Sequence, residues 1–157
     1  MNNETCNMNG HITFDLIRNG KVIDTREIKN LIVTAGKAAM AALCITDVAE
    51  TAFDYIAIGT GVVAADADDT TLGTEITTLG GERRGGADVV GTRVTTTVTD
   101  DTAQLVTTFT FTGAFAITES AILNAASTGD LLARQVFAAI NVTSGDSLQI
   151  TWKVQFS

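Results

Sequence analysis

Proline is absent from the 157 residues, where average usage near 5% would place about eight. Every backbone N–H is therefore free to donate, which suits a chain given over to paired strands. Histidine occurs once, at His11, and a lone histidine near the N-terminus reads as a strand or surface residue before it reads as a catalytic base. The two cysteines, Cys6 and Cys44, are too few and too far apart for a disulfide framework and are expected to be free thiols. One Trp and one Tyr leave no row of aromatics on which a carbohydrate would stack. Basic residues are scarce: the net charge is −8 and the isoelectric point lies near 4.4. Nothing here has the positive footprint that a nucleic-acid backbone requires, and an acidic surface disfavours anionic membranes. No apolar run reaches transmembrane length. The opening MNNETCNMNG has neither the basic start nor the apolar stretch of a secretory signal, so the expectation is a protein made and kept in a cytoplasm. The sequon Asn141-Val-Thr143 would matter only in a secretory pathway.

What is present is apolar and strand-forming. Hydrophobic residues make up 45% of the chain and charged residues 18%. This composition builds one folded domain and leaves few charges to spread over its surface, as in chains that hide surface against partners. Asn19-Gly20 between two alternating runs predicts a hairpin over 11–18 and 21–30. Thr34 can cap a helix over about 35–45, in which Ala39, Met40 and Leu43 share a face. Residues 53–58 form a strand ended by Gly59-Thr-Gly61, followed by a loop over 62–75. Threonine-rich runs predict strands at 92–99 and 103–112, divided by Asp100-Asp101. In the second of these Leu105, Thr107, Phe109 and Phe111 share a face. Ser127-Thr-Gly-Asp130 separates two further strands. In SLQITWKVQF, Leu148, Ile150, Trp152, Val154 and Phe156 alternate with polar residues, the pattern of a strand with one buried face. Many short strands and one short α-helix predict a mainly β, antiparallel sandwich or barrel-like domain over 11–157. Residues 1–10, polar and without hydrophobic period, are expected to form a flexible arm that orders against a neighbouring subunit.

The sharpest chemical motif is Gly59-Thr-Gly61-Val-Val-Ala64, a G-x-G-x-x-A dinucleotide fingerprint directly after an apolar strand. That fingerprint works only when a helix follows and its N-terminus holds the pyrophosphate. Here Asp66, Asp68 and Asp69 follow, which would repel phosphate, and no parallel βαβ unit does. The glycines are therefore read as permitting a sharp exit from a buried strand. The three aspartates could offer oxygen ligands to calcium but lack an EF-hand pattern, and a solvated acidic loop is the plainer reading. Ser120 follows Glu119 without the glycines of a nucleophile elbow. The acid pairs Asp15 with Asp24 and Glu75 with Glu82 have no pattern placing them in a cleft. Arg83-Arg84 reads as a solvated turn or a contact for an acidic partner. No catalytic, cofactor-binding or metal-binding residue is assigned.

The segments KNLIVTAGKAAMAAL, YIAIGTG, DDTTLGTE, ITESAILNA, LLARQVF and GDSLQITWKVQF, in this order over residues 29–156, resemble a group of small virion structural proteins of tailed bacteriophages. Related patterns occur in the attachment regions of tail fibres. Two departures stand out: the loop at 62–69 has no proline, and TESAIL stands where similar proteins often read Thr-Glu-Ala-Gly-Leu. The resemblance implies a structural role without an active site, in a virion assembled in the host cytoplasm. It implies the major capsid protein or other virion proteins as partners, and a homo-oligomer, with a trimer favoured. No nucleic-acid or membrane contact is implied. A chain that stops one residue after its last strand suits a capsid-decorating or cement protein better than a fibre that continues into a stalk. A tail, baseplate or fibre-adaptor component is the alternative, and a small hydrolase or carbohydrate-binding module is the third.

Overall fold

A computed structural model describes residues 5–45 and 50–157. The described residues form eight antiparallel strands, one α-helix and one 3-10 turn. The strands are β1 (Met8–Arg18), β2 (Lys21–Ile32), β3 (Tyr55–Gly59), β4 (Val90–Val94), β5 (Thr102–Thr110), β6 (Phe115–Leu123), β7 (Leu131–Val142) and β8 (Ser147–Phe156). Helix α1 spans Thr34–Leu43, and the 3-10 turn Gly86–Asp88. The strand order is β3-β6-β7-β2-β1-β8-β5-β4, and the sheet curls into a half-barrel. Its narrowest point is the junction of β2 with β7, where only Leu31↔Arg134 and Ile32↔Ala133 pair.

The alternation read from the sequence sets the curvature. Ile12, Phe14 and Leu16 of β1 and Leu148, Ile150, Trp152 and Val154 of β8 fill the concave face. They meet Ile56 and Ile58 of β3, Ile122 of β6 and Ile140 of β7. Phe14 reaches across to Phe137 of β7, with ring centroids 4.5 Å apart. Trp152 is fully buried, and its indole N–H donates to Ser120 Oγ at 3.3 Å. Ser120 Oγ in turn donates to the Ala57 carbonyl at 2.9 Å, so this serine is a polar link in the core. The β3-β6-β7 part of the sheet is covered on its convex side as well. There Val33, Ala57, Leu72, Ala121, Leu123 and Leu131 form a second apolar cluster.

The turns follow their local chemistry. Asn19 and Gly20 have φ of 51° and 73°, the paired left-handed conformation that Asn-Gly adopts between two twisted strands. Thr128 and Gly129 do the same between β6 and β7, with φ of 54° and 81°. Helix α1 begins one residue earlier than expected. Val33 occupies the cap position without a side-chain bond, and Thr34 instead donates its backbone N–H to the Ala67 carbonyl at 2.7 Å. Gly36 is needed because α1 lies directly on the backbone of Leu132, where a Cβ would overlap. Of the three residues expected on one helix face, Ala39 is buried and Met40 packs on the core, while Leu43 stays exposed.

Two boundaries need correction. Residues 8–10 belong to β1 and not to a flexible arm: Met8, Asn9 and Gly10 pair with Phe156, Gln155 and Val154. Asn7 exchanges backbone hydrogen bonds with Ser157 at 2.6 and 2.9 Å. Polar residues hold a strand here because β8 offers an unpaired backbone edge; residues 1–4 lie outside the described residues. Strand β4 stops at Val94 and not at residue 99. The carboxylate of Asp101 accepts the N–H groups of Thr96, Thr97 and Val98 at 2.8–3.0 Å, taking donors a longer strand would have used.

Emptying the Trp152 site should be costly. Trp152→Ala is expected to destabilise the protein by about 3–5 kcal/mol, the range for deleting a large core side chain. Denaturant unfolding measures this. The native indole should also emit at short wavelength and resist iodide quenching; a red-shifted, freely quenched emission would contradict its place in the core.

Candidate functional site

Glu119 is the one acidic side chain with no solvent exposure among the described residues, and it sits under the loop that carries the Gly59-Thr-Gly61 motif. The convex face of β6 carries Glu119, and the neighbouring strand β7 carries Arg134, itself 2% exposed. Glu119 Oε1 accepts the backbone N–H groups of Gly61 at 2.9 Å and Thr74 at 2.7 Å. Oε2 accepts the N–H of Gly73 at 2.9 Å, and Arg134 Nε and Nη2 at 3.0 and 2.8 Å. Arg134 also donates Nη1 to Asp69 at 2.7 Å and Nη2 to the Val63 carbonyl at 3.1 Å. Thr118 Oγ1 donates to the Gly61 carbonyl at 2.8 Å. Residues 61, 63, 69, 73 and 74 are thus tied to two adjacent strands through one ion pair.

The sequence argues against anion binding by the glycine motif; in the structure Gly61 does meet an anion, and it is the protein's own Glu119 carboxylate. Neither Gly59 nor Gly61 has a positive φ, so the expected conformational reason for them is replaced by a steric one. A Cβ at Gly61 would overlap Glu119 Oε1, and one at Gly59 would overlap both Oε1 and the Thr74 carbonyl. Close approach of backbone to carboxylate is what requires glycine here.

Burial is the largest influence on the Glu119 carboxyl and would by itself raise its pKa. The N–H groups of Thr74 and Gly73, the Arg134 guanidinium and the N–H of Gly61 together outweigh it, holding the pKa below the ordinary glutamate value. For Asp69 burial again acts upward and is outweighed by the backbone N–H that Asp66 donates to its carboxylate and by Arg134. A glutamate so held is ionised, acceptor-saturated and closed to solvent. It can fix a loop; it has no free lone pair directed at a substrate.

The acidic loop is built from the same bonds. Asp66 Oδ1 accepts the N–H of Asp68 at 3.0 Å, and Asp69 Oδ2 accepts the N–H of Asp66 at 2.9 Å. Among the described residues no three His, Cys, Asp or Glu side chains are grouped as metal ligands would be. Arg83 and Arg84 are not a solvated turn. Arg83 makes a bidentate pair with Glu75 at 2.8 and 2.7 Å and donates to the carbonyls of Ala125 and Thr128. Arg84 lies 5.6 Å over the Phe109 ring. Asp15 accepts the Thr25 hydroxyl, and Asp24 pairs with Arg26 at 2.9 Å. His11 is exposed on the outer face of β1 between Lys29 and Lys153 on the flanking strands. No helix among the described residues is long and apolar enough to cross a membrane.

Glu119→Gln should cost about 3 kcal/mol or more, because it leaves a buried guanidinium short of its counter-charge. Gly61→Ala should cost about 1–3 kcal/mol through overlap with the same carboxylate. Because the folded pKa of Glu119 lies below its unfolded value, its contribution is complete at neutral pH. It is withdrawn as the pH falls below about 4.3, the unfolded value, towards the folded one. Melting temperature against pH should therefore fall less steeply on the acid side in Glu119→Gln than in wild type, and equal acid slopes would contradict the assignment. Comparison with protein-family models, with curated proteins and with solved structures gives no match for this chain.

Proposed function

We propose that this chain is a non-catalytic structural component of a tailed-phage virion, of the kind that decorates or cements the capsid surface. The order of sequence segments resembling such proteins motivates the reading. The observation that supports it is the loop itself. Val62 and Val63 are 74% and 76% exposed, yet they stand between Gly61, tied to Glu119, and the Val63 carbonyl, tied to Arg134. Ala67 is fastened to α1 and Asp69 to Arg134. A pair of apolar side chains on so firmly held a loop has little conformational entropy left to lose on docking. That favours recognition of another protein surface and gives the buried ion pair a purpose outside catalysis. The partner would be the major capsid protein or another virion protein.

A tail, baseplate or fibre-adaptor position is the second reading, because related sequence patterns occur in tail-fibre attachment regions. Copy number in purified particles separates the two: hundreds of chains indicate the head, and about a dozen or fewer the tail, following the symmetry of each assembly. The contact itself is tested by Val62→Asp/Val63→Asp. This variant should keep its melting temperature within about 2 °C, as exposed substitutions do. It should co-sediment at least about tenfold less well with particles stripped of the wild-type protein, a loss of about 1.4 kcal/mol. Undiminished retention would remove the loop from the contact, and absence of the chain from particles would remove the virion reading altogether.

A further inference from the structure

The sheet has several stretches of strand edge without a full partner, and three of them are treated differently. The outer edge of β3 is occupied: Ile56 exchanges backbone bonds with Arg84 at 2.8 and 2.9 Å, and Ile76 donates to the Ile58 carbonyl at 2.9 Å. The edge of β2 beyond its two-residue junction with β7 carries Lys21, Asp24, Arg26, Glu27 and Lys29. Arg26 also crosses the gap to the carbonyls of Ala138 and Ala139 at 2.7 and 3.1 Å. Charged side chains and such a crossing block further strand addition. The outer edge of β4 is the least defended: it carries a single charge, Arg93, and among the described residues no side chain or loop backbone crosses it. The strand reads Val90-Gly-Thr-Arg-Val94, pairs only with β5, and receives no other backbone hydrogen bond among the described residues. Val90 is 59% exposed.

Gly91 supplies an independent observation. Glycine weakens a strand and is retained where a turn, a bulge or a closely approaching chain demands it. Gly91 has no positive φ, and a Cβ there would meet only Leu105 Cδ2 at 3.5 Å, an ordinary contact. Nothing among the described residues requires glycine at this position.

We propose that β4 is a docking edge for β4 of a second copy of this chain, paired antiparallel about Thr92. In that register Val90 lies opposite Val94 of the partner subunit at both ends, and Thr92 lies opposite Thr92 of the partner subunit. Arg93 of each copy falls beside Gly91 of the other, where the missing side chain leaves room, and the two arginines do not face each other. The strand is thus self-complementary in shape and sets no like charges directly opposite each other, as a two-fold contact requires. Apolar and Thr–Thr cross-strand pairs stabilise such a ladder, and like charges directly opposite disrupt it. The pairing extends the β2-β1-β8-β5-β4 face across both copies. It rests on the sheet edge alone and stands apart from the virion reading and from the three-fold oligomer that the sequence resemblance implies.

The test uses Cys6→Ser/Cys44→Ser protein, since both cysteines are exposed and free. Sedimentation equilibrium should show concentration-dependent association to twice the chain mass of 16.4 kDa. Val90→Lys/Val94→Lys sets lysine against lysine and should weaken association at least about tenfold, while Val90→Lys/Val94→Glu should restore it to within about threefold. Thr92→Cys should oxidise to a cross-linked dimer faster than Gly91→Cys, because only position 92 meets itself. This comparison stands even where a lysine variant fails to fold. A monomer at every concentration, a three-chain mass untouched by these substitutions, or equal cross-linking at 91 and 92 would overturn the proposal.

Discussion

The buried pair of Glu119 and Arg134 is the constraint around which one side of this protein is organised. A carboxylate with no exposure is tolerated only when its charge is matched and its lone pairs are filled. Arg134 supplies the charge and two donors. The remaining acceptor positions are filled by three backbone N–H groups from a single loop. The loop is irregular, so its own amides had no ladder to join. Sheet and loop each satisfy what the other would otherwise bury unpaired. The glycines at 59 and 61 follow from that demand, because the amides reach the carboxylate only where no Cβ intervenes.

The same device recurs at smaller scale. Asp101 gathers the amides of residues 96–98 beside β5, and Asp146 accepts the N–H and hydroxyl of Thr143 while pairing with Arg18 at 2.7 and 2.8 Å. Both carboxyls are held well below the ordinary aspartate range, Asp101 chiefly by the Val98 N–H and Asp146 chiefly by Arg18. A chain without proline has an amide at every position and must find each buried one an acceptor. Here carboxylates serve that need beside the backbone carbonyls that satisfy other loop amides. Part of the acidic composition thus has a structural use.

Strand periodicity made most of the architecture legible. The alternation in β8, the Asn-Gly turn and the Leu105–Phe111 face all reflect local rules with a period of two, and they reappear with shifts of a few residues. The antiparallel β class with a single helix is what the structure has. Two boundaries moved because of side-chain or strand partners that periodicity does not report: β1 was lengthened by β8, more than a hundred residues away, and β4 was cut short by the nearby Asp101 side chain. The site was less legible. Its glycines and aspartates stood out, but Glu119 and Arg134 read as ordinary members of strands. Their bonds to the loop run to residues 45 to 71 positions away, and no local pattern encodes such a span. One signal was available: Glu119 and Arg134 lie in apolar runs, ITESAIL and LLARQVF, where a charge has to find a partner.

Amide hydrogen exchange at Gly61, Gly73 and Thr74 measures the clamp most directly. If the buried carboxylate holds the loop, these three amides exchange in the wild-type protein as slowly as amides in the β1–β8 ladder, although they lie in a loop. In Glu119→Gln they should lose at least about tenfold of that protection relative to the same ladder. Rapid exchange at the three positions in the wild type, or protection that tracks the ladder unchanged in the variant, would contradict it.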